Sequence, residues 1–371
     1  MSGDEFAILV EDAGGPDEAY ALARRIQEHI KAPFSVEDHE VFTSLSINVA
    51  MNGPSHETPN DLLRDADLAM YRAKMNGKAR CELFDQTMDS PASERLHLET
   101  SLHRALERNE LRVFYQPIVD LADGQVAGFE ALVRWAHPQR GLVMPAEFIP
   151  LAEETGLILP LDAWVLQESC RQFQEWQAHH PRPLLLSVNI SARQLQSASL
   201  IQTVANALEA TKFDPCCLKL ELTESVMISD VARVRERLGE LQKLSIQIAI
   251  DDFGTGFSSL AYLRDLPISF VKIDRSFVKR LGADSRDEAI VRSIVNLAHD
   301  LGLTVIAEGI ELAEQLDTLR TLGCDFGQGF YFSAGVPTDV AGRLLQASQM
   351  AAGNGEVPGP VLVVSGRLPA A

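Results

Sequence analysis

The sequence predicts a β/α barrel that departs from strict βα alternation at its beginning, preceded by a smaller α/β unit. Eight short apolar runs recur over about 240 residues and alternate with amphipathic segments. The first two runs are separated by little more than a turn at Asp123 and Gly124, which indicates a hairpin. Six runs deliver polar residues at or near their carboxyl ends. In such barrels the carboxyl-terminal rim carries the functional residues.

Residues 1–85 form the smaller unit. In chain order, the patterns predict a turn and strand in SGDEFAILV, a helix over residues 17–30, a strand over 41–50, a helix from about Thr58 to Asn76 and a strand over 81–85. Residues 86–97 predict a polar linker that becomes the start of a helix, because four leucines between Leu96 and Leu106 recur at near-helical spacing. The barrel is expected over residues 98–350. The Gly-, Pro- and Ala-rich residues 351–371 predict a flexible tail.

The barrel strands follow from apolar runs that are too short for helices. They are LRVFYQPIVDL, QVAGFEALVRW, PLLLSVNI, CLKLELTE, SIQIAIDD, ISFVKID, LTVIAEG and CDFGQGF. The amphipathic segments between them include LDAWVLQESCRQFQEWQ, VARVRERLGELQKL, RDEAIVRSIVNLAHDLG and LAEQLDTLRTLG. The alternation predicts a mainly parallel sheet that closes on itself.

Composition narrows the function classes. The 371 residues are 46% hydrophobic and 23% charged, which is typical of a globular protein. A net charge of −19 argues against a polymeric nucleic acid as partner, whereas a small anion remains allowed if metal ions receive it. No apolar stretch approaches the length of a membrane span, and the start lacks a basic signal region. Five cysteines without a CxxC pair favour reduced thiols, so a cytoplasmic location is expected.

The polar residues at the strand ends are mostly oxygen ligands. They are Asn189, Glu221, Glu224, Asp251, Asp252, Lys272, Asp274, Glu308 and Gln328, and they are joined by Glu130 and Arg134 from the second half of AGFEALVRW. Oxygen-only sites suit Mg²⁺ or Mn²⁺ and disfavour Zn²⁺. Carboxylates gathered near one axis repel each other unless cations lie among them. Two divalent ions about 4 Å apart are the usual solution, and they favour in-line displacement at phosphorus.

Asp251 and Asp252 are consecutive, so on a regular strand they would face opposite ways. Both can reach one centre only where the strand ends, and Gly254 and Gly256 supply such a break. Lys272 and Asp274 alternate with apolar residues and therefore share one face. A lysine among carboxylates can hold an attacking hydroxide or stabilise phosphoryl oxygens, and Arg134 could bind a phosphate.

Each of these residues, taken alone, also has a purely structural explanation. The acids and Asn189 could cap helices or occupy turns, Lys272 could be a solvated strand residue, and Arg134 could form a surface cation–π pair with Trp135. These explanations would all have to coincide at the same rim of the barrel. The joint pattern therefore favours a functional site.

The motifs YQPI, EALVRW, SVNIS, ELTES, DDFGTGFSSL, VKID, AEGIE and GQGF, in this order, resemble those of the EAL-domain cyclic di-GMP phosphodiesterases of bacteria. The resemblance covers about residues 98–350. It implies a modified TIM barrel with one antiparallel strand, and hydrolysis of one phosphodiester of cyclic di-GMP to linear pGpG with two Mg²⁺ or Mn²⁺ ions. Phe330 and Ile310 replace a common Tyr and Val, and neither is an implied metal ligand.

The resemblance also implies residue roles. One metal ion would be held by Glu130, Asn189, Glu221 and Asp251, and Asp251 would bridge to a second ion held by Asp252 and Glu308. Lys272 would act on the metal-bound water, either as a base or as an electrostatic stabiliser, and the expected catalytic residues are Glu130, Lys272 and Glu308. Glu224 would hold the loop at residues 252–259. The substrate contacts would be Gln116, Arg134, Asp274 and Gln328. We expect Ca²⁺ to inhibit, because its longer bonds suit a compact paired site poorly.

The N-terminal unit resembles the second half of a GGDEF diguanylate cyclase domain. SGDEFAILV carries Ser2 in place of the first Gly of the signature, and SINVA carries Asn48 where Gly is usual. The first half of that domain precedes the signature and is not in this sequence, so no cyclase activity is expected despite Asp4 and Glu5. Alternatives left open are a catalytically silent cyclic di-GMP receptor, an interaction scaffold, a homodimer, and GTP or a protein partner at the N-terminal unit.

Overall fold

The structure is a computed structural model of the chain. It describes residues 8–11, 13–30, 34–36, 39–41, 47–53, 58–59, 61–63, 65–66, 81–83, 91–224, 226, 231–254, 260–282 and 285–353. The chain divides into two compact units, Met1–Ser101 and Leu102–Ala371. Among the described residues, no helix is both long and apolar enough to cross a lipid bilayer.

Before residue 91, the described part of the first unit contains one long helix, a few helical residues between 59 and 66, and two small pairs of strands. Its elements are α1 (Pro16–Ile30), β1 (Phe34–Val36), β2 (His39–Val41), β3 (Ile47–Val49) and β4 (Cys81–Leu83). β1 pairs with β2 antiparallel and β3 pairs with β4 in parallel. The Tyr20 hydroxyl on α1 donates to the Cys81 carbonyl at 3.3 Å, which ties the helix to β4.

The predictions for this unit have mixed outcomes. The helix predicted over residues 17–30 is present, and so is a strand beginning at Cys81. The strand expected in SGDEFAILV is wrong for residues 8–10, its described part, because they are exposed and do not belong to a strand. Of the strand predicted over 41–50, Val41 belongs to β2 and Ile47–Val49 form β3, while residues 42–46 lie outside the described residues. Residues 59, 61–63, 65 and 66 of the helix predicted over 58–76 are helical, whereas the rest of that helix and residues 1–7 lie outside the described residues.

Helix α2 (Pro91–Glu107) carries the chain across the division between the units. Its leucine periodicity has a structural basis, because Leu98 and Leu102 are buried and Leu106 is half-buried. The division at residue 101 lies a few residues after the expected boundary at 97. At the other end the last helix extends to Gly353, three residues beyond the expected end of the barrel, and residues 354–371 lie outside the described part.

The second unit is a closed barrel of eight strands. These are β5 (Leu111–Asp120), β6 (Val126–His137), β8 (Leu185–Asn189), β9 (Leu218–Thr223), β10 (Gln247–Phe253), β11 (Phe270–Ile273), β12 (Thr304–Ala307) and β13 (Phe326–Gly327). Strand β5 pairs antiparallel with both β6 and β13, and every other pair around the barrel is parallel. The predicted barrel with one antiparallel strand is therefore confirmed.

The hairpin that reverses β5 is made by the predicted turn. The Gly124 amide donates to the Asp120 carbonyl at 2.8 Å, and Gly124 has a φ of 73°, which glycine adopts without strain. Two short strands that the sequence did not indicate extend the sheet beside this hairpin, namely β7 (Gly141–Val143) on β6 and β14 (Val336–Pro337) on β5.

Helices connect the parallel strands and cover the barrel. They are α3 (Pro145–Thr155), α4 (Ile158–Gln177), α5 (Ala192–Gln196), α6 (Leu200–Thr211), α7 (Val231–Lys243), α8 (Leu260–Asp265), α9 (Arg275–Val278), α10 (Ser285–Asp300), α11 (Ala313–Thr321) and α12 (Thr338–Gly353), with a 3₁₀ turn at Pro215–Cys217. Inside the barrel, Ile118, Ala249, Phe270 and Ile306 come from four different strands and form a buried apolar cluster. This cluster closes the barrel below its carboxyl-terminal rim.

Candidate active site

The polar residues predicted at the strand ends lie together at the carboxyl-terminal mouth of the barrel. Asn189 is the last residue of β8 and lies in register with Glu221 on β9. Glu308 immediately follows β12, and Gln328 immediately follows β13. Because residues in register on neighbouring strands face the same side of a sheet, these side chains point into the barrel rather than toward the surrounding helices.

The Lys272 ammonium is the centre of this group. Its Nζ lies 2.7 Å from Glu221 Oε2, 2.5 Å from Glu308 Oε1, 3.2 Å from Asp251 Oδ1 and 3.4 Å from Glu130 Oε2. The lysine side chain is only 1% exposed. The alternative of a solvated strand lysine is therefore wrong for Lys272, because strand β11 points its side chain inward among four carboxylates.

Glu130 is held by amides as well as by the lysine. Asn189 Nδ2 donates to Glu130 Oε1 at 2.7 Å, and Gln328 Nε2 donates to Glu130 Oε2 at 2.7 Å. Gln328 also donates to Gln116 Oε1 at 3.0 Å, and Gln116 in turn donates to the Ser333 carbonyl at 3.1 Å. This network fixes one carboxylate and leaves the oxygen of the Asn189 amide available as an acceptor.

The two consecutive aspartates reach the site by a route that the sequence did not predict. Strand β10 does not end at Asp251 but continues to Phe253, and its pairing with β11 contains a bulge between Ile250 and Phe253. Asp252 adopts a left-handed φ of 55°. The bulge brings both aspartates to one face, so Asp251, Asp252 and Glu308 each place a carboxylate oxygen within 4.8 Å of the others.

The electrostatics of the site follow from burial and from the single ammonium. Burial alone would lower the pKa of Lys272, but the four surrounding carboxylates raise it well above its ordinary value. Burial raises the pKa of Glu308 to about 8 and also raises that of Glu221, despite the nearby Lys272. For Glu130, Lys272 and the two amide donors outweigh burial and lower the pKa. The site therefore carries more acidic groups than one ammonium can neutralise.

The residues fit divalent cations that prefer oxygen ligands. Six side chains supply oxygens: Glu130, Asn189, Glu221, Asp251, Asp252 and Glu308. The Lys272 ammonium already lies within ion-pair distance of four of them, which shows that the geometry receives a positive charge. The carboxylate and amide donor set, without histidine or cysteine, is the set that Mg²⁺ and Mn²⁺ prefer.

Glu224 contacts Gly254, the residue that directly follows β10. Its side chain is buried, and Glu224 Oε2 accepts a hydrogen bond from the Gly254 amide at 3.0 Å. Gly254 has a φ of 98°, and a Cβ there would lie 2.9 Å from the Phe277 ring, so the position requires glycine. Gly256 and the rest of the loop, residues 255–259, lie outside the described residues.

Two of the predicted substrate contacts lie at the edge of the cluster. Arg134 is two positions beyond Leu132 and four beyond Glu130 on β6, on the same face, and its guanidinium lies 5.5 Å from the centre of the Phe114 ring. The alternative of a surface pair with Trp135 is wrong, since Trp135 is fully buried. Asp274 caps helix α9 by accepting from the Ser276 amide at 2.9 Å. Its charge also raises the pKa of Asp252, after burial and Asp251.

Sequence reasoning missed one residue of this region. Lys219 is fully buried in β9 two positions before Glu221, and its Nζ lies 3.7 Å from Glu221 Oε1 and 4.6 Å from the centre of the Phe270 ring. Burial lowers the pKa of Lys219 to about 8, although Glu221 opposes this. The only signal in the sequence is the alternation Leu218–Lys219–Leu220–Glu221, which places the lysine and the glutamate on one face.

Comparison with family models assigns both units. Residues 99–334 match the EAL domain, and residues 1–80 match the model described as diguanylate cyclase, GGDEF domain. The first match covers more than half of the chain. The chain therefore belongs to the EAL domain family, with GGDEF sequence at its N-terminal end.

Two relatives come from Pseudomonas aeruginosa. The bifunctional diguanylate cyclase/cyclic di-GMP phosphodiesterase MucR is 42% identical over 339 residues, which are 91% of this chain and 49% of MucR. The cyclic di-GMP phosphodiesterase NbdA is 38% identical over 347 residues, which are 94% of this chain and 44% of NbdA. The chain thus spans about half the length of these curated relatives.

Solved structures share the barrel. The PaMucR phosphodiesterase in complex with c-di-GMP superposes with a TM-score of 0.64 and 44% identity, over 66% of this chain and 99% of that one. The EAL enzyme Bd1971, in its form bound to cAMP and cyclic di-GMP, superposes with a TM-score of 0.66 and 34% identity, over 78% of this chain and 77% of that one.

Proposed function

We propose that this chain hydrolyses one phosphodiester of cyclic di-GMP and releases linear pGpG. The observation that carries the proposal is the Lys272 ammonium within 3.4 Å of four carboxylates at the mouth of a closed barrel. The relatives MucR and NbdA bear the name of this activity, and the PaMucR and Bd1971 structures contain the same ligand.

The acidic cluster would hold two Mg²⁺ or Mn²⁺ ions. Glu130, Asn189, Glu221 and Asp251 are the proposed ligands of one ion, and Asp251, Asp252 and Glu308 those of the other. When bound, such ions supply positive charge to the phosphodiester and acidify water. Ca²⁺ should bind without supporting turnover, because it takes more ligands at longer distances than this compact set offers.

The chain's own groups have distinct proposed tasks. Lys272 stays protonated among its carboxylates, so its ammonium can stabilise negative charge that develops on the phosphoryl oxygens. Without a bound ion, burial raises the pKa of Glu308 to about 8, so this carboxyl group would have to release its proton when it binds an ion. Glu130, fixed by Asn189 and Gln328, would be the most rigid acid of the group.

Substrate would bind across the rim beside the Gln116–Gln328 hydrogen bond. Both amides lie within the same network as Glu130, so they can orient a nucleotide relative to the acids. Arg134 is half-buried and lies on the same face of β6 as Glu130, and we propose that it binds a phosphate group of the substrate. Asp274 lies close enough to Asp252 to raise its pKa, and we assign Asp274 a contact to the nucleotide.

The remaining proposals concern the whole protein. We place the barrel domain at residues 98–350, a linker at 86–97 and a GGDEF-derived unit at 1–85. For this unit we propose binding of GTP or of a protein, without cyclase activity. We also propose that the chain can form a homodimer. All five cysteines lie among the described residues; none forms a disulfide there and four are buried, which supports a reducing compartment such as the cytoplasm.

The test is incubation of the purified chain with cyclic di-GMP and Mn²⁺ or Mg²⁺, with pGpG measured by chromatography. We expect product with either ion, none with Ca²⁺, and a loss of at least a hundredfold in Glu130→Gln and Asp251→Asn. Glu209→Gln, an exposed acid on α6, is the matched control and should keep full activity. Binding of cyclic di-GMP without pGpG in either ion would contradict hydrolysis and assign a receptor instead.

A further inference from the structure

The barrel interior contains a second buried lysine that the proposed mechanism does not use. Lys219 is 0% exposed, and its Nζ has no hydrogen-bond partner among the described residues. A buried ammonium is unfavourable unless it is paired, because burial removes its hydration. Its nearest acid is Glu221, whose Oε1 lies 3.7 Å away and also has no hydrogen-bond partner within the described part of the chain.

Lys219 belongs to a polar layer just below the acidic cluster. Ser187, Lys219 and Gln247 are in register on the adjacent strands β8, β9 and β10, and Ser187 is in register with Glu130 on β6. These side chains therefore face the barrel interior together with Glu130. The Ser187 hydroxyl and the Gln247 Oε1 atom are buried and have no protein hydrogen-bond partner among the described residues.

The two carboxylate oxygens of Glu221 have different cationic neighbours. Oε2 lies 2.7 Å from Lys272 at the rim, and Oε1 lies 3.7 Å from Lys219 below it. The Phe270 ring, 4.6 Å from Lys219 Nζ, limits where the ammonium can move. Lys219 thus restrains Glu221 from inside the barrel, on the side away from substrate.

We propose that Lys219 is a positioning residue that fixes the orientation of Glu221 for a divalent cation, with Ser187 and Gln247 completing the polar layer. This inference rests on the proposed function, because it assigns Glu221 to an ion. Groups that orient metal ligands from behind typically change metal affinity 10–100-fold when they are replaced. Lys219 touches neither substrate nor ion, so its effect should pass through Glu221 alone.

The test is the Mn²⁺ affinity of the full chain, measured by calorimetry without substrate, in wild type and Lys219→Met. We expect the dissociation constant to rise at least tenfold while the thermal unfolding midpoint stays equal or increases, because an apolar side chain of similar length replaces a buried charge. Ile306→Val, in the apolar cluster on β12, is the control for packing and should leave Mn²⁺ affinity unchanged. Steady-state kinetics at limiting Mn²⁺ should show a lower kcat with KM for cyclic di-GMP changed less than twofold.

Unchanged or tighter Mn²⁺ binding in Lys219→Met would overturn the inference, because the lysine would then be a spectator or would only repel the ion. If that variant does not fold, Lys219→Leu, which likewise carries neither a charge nor a hydrogen-bond donor, is measured by the same criterion. Wild type that binds Mn²⁺ without producing pGpG contradicts the proposed function, and the affinity difference still decides the role of Lys219. Wild type that binds no Mn²⁺ contradicts both.

Discussion

Lys272 Nζ lies 2.7 Å from Glu221 Oε2 inside the barrel mouth, and both side chains are almost completely buried. The two residues are brought together from β9 and β11, strands that are separated by β10. An ion pair at this depth is held by its surroundings, because leaving either charge unpaired in a low-dielectric site is costly. Because both residues also belong to the proposed active site, replacing either of them should change both the stability of the protein and its activity.

In a variant without Lys272, divalent ions should therefore restore stability but should not restore activity. Lys272→Met leaves the acids without their ammonium, so we expect a loss of about 3–5 kcal/mol in the free energy of unfolding without metal. Mn²⁺ should raise the unfolding midpoint more in the variant than in wild type, while pGpG production remains at least a hundredfold lower. Calorimetric melting with and without Mn²⁺ measures this, with Lys243→Met as an exposed control. Equal responses of both proteins to Mn²⁺ would contradict the ion-pair account.

Asp252 combines a left-handed backbone with a proposed metal ligand, and two substitutions separate these properties. Asn tolerates a positive φ, so Asp252→Asn should keep the unfolding midpoint and lose activity. Asp252→Val should in addition lose about 1–3 kcal/mol of stability, because a β-branched residue is strained at a φ of 55°. Chemical denaturation and the pGpG assay give the two readouts. A valine variant as stable as wild type would show that the bulge does not constrain this residue.

Glu224 should act through the backbone of Gly254 rather than through substrate. Glu224→Ala removes the acceptor of the Gly254 amide, and we expect kcat to fall at least tenfold. Glu224→Gln keeps an acceptor oxygen at the same place and should retain most of the activity. Steady-state kinetics with both variants checks this, and equal losses in the two would instead indicate that the negative charge matters.

Several of these features could be predicted from the sequence, and the reasons differ. Parallel barrel strands are apolar runs that end in polar residues, so all eight were visible, whereas β7 and β14, of three and two residues, are too short to give a periodic pattern. Lys219 was missed although the alternation places it on the face of Glu221, because no local pattern shows that a lysine at this position is completely buried. The bulge at Asp252 depends on pairing with β11, which no local pattern encodes.

The pH dependence of stability should contain a contribution from Asp162, next to the loop that follows Asn189. Burial raises the pKa of Asp162 to about 7, although the Ser191 hydroxyl donates to it at 2.7 Å. A carboxyl group with a raised pKa binds its proton more tightly in the folded state, so stability falls as pH rises from about 4 to 7. Asp162→Asn should remove this dependence. The free energy of unfolding of the variant, relative to that of wild type, should therefore be up to a few kcal/mol higher at pH 8 than at pH 4. Chemical denaturation at several pH values measures this. If the free energy of unfolding changes equally with pH in both proteins, the raised pKa is contradicted.

The most direct measurement counts Mn²⁺ ions bound per chain and follows pGpG formation in the same samples as Mn²⁺ is titrated into chelator-treated protein. The account predicts that two ions bind and that hydrolysis of cyclic di-GMP appears as the second site fills. Asp252→Asn should bind one ion and remain inactive. Hydrolysis that persists in the presence of excess chelator, or two bound ions with no pGpG, would contradict it.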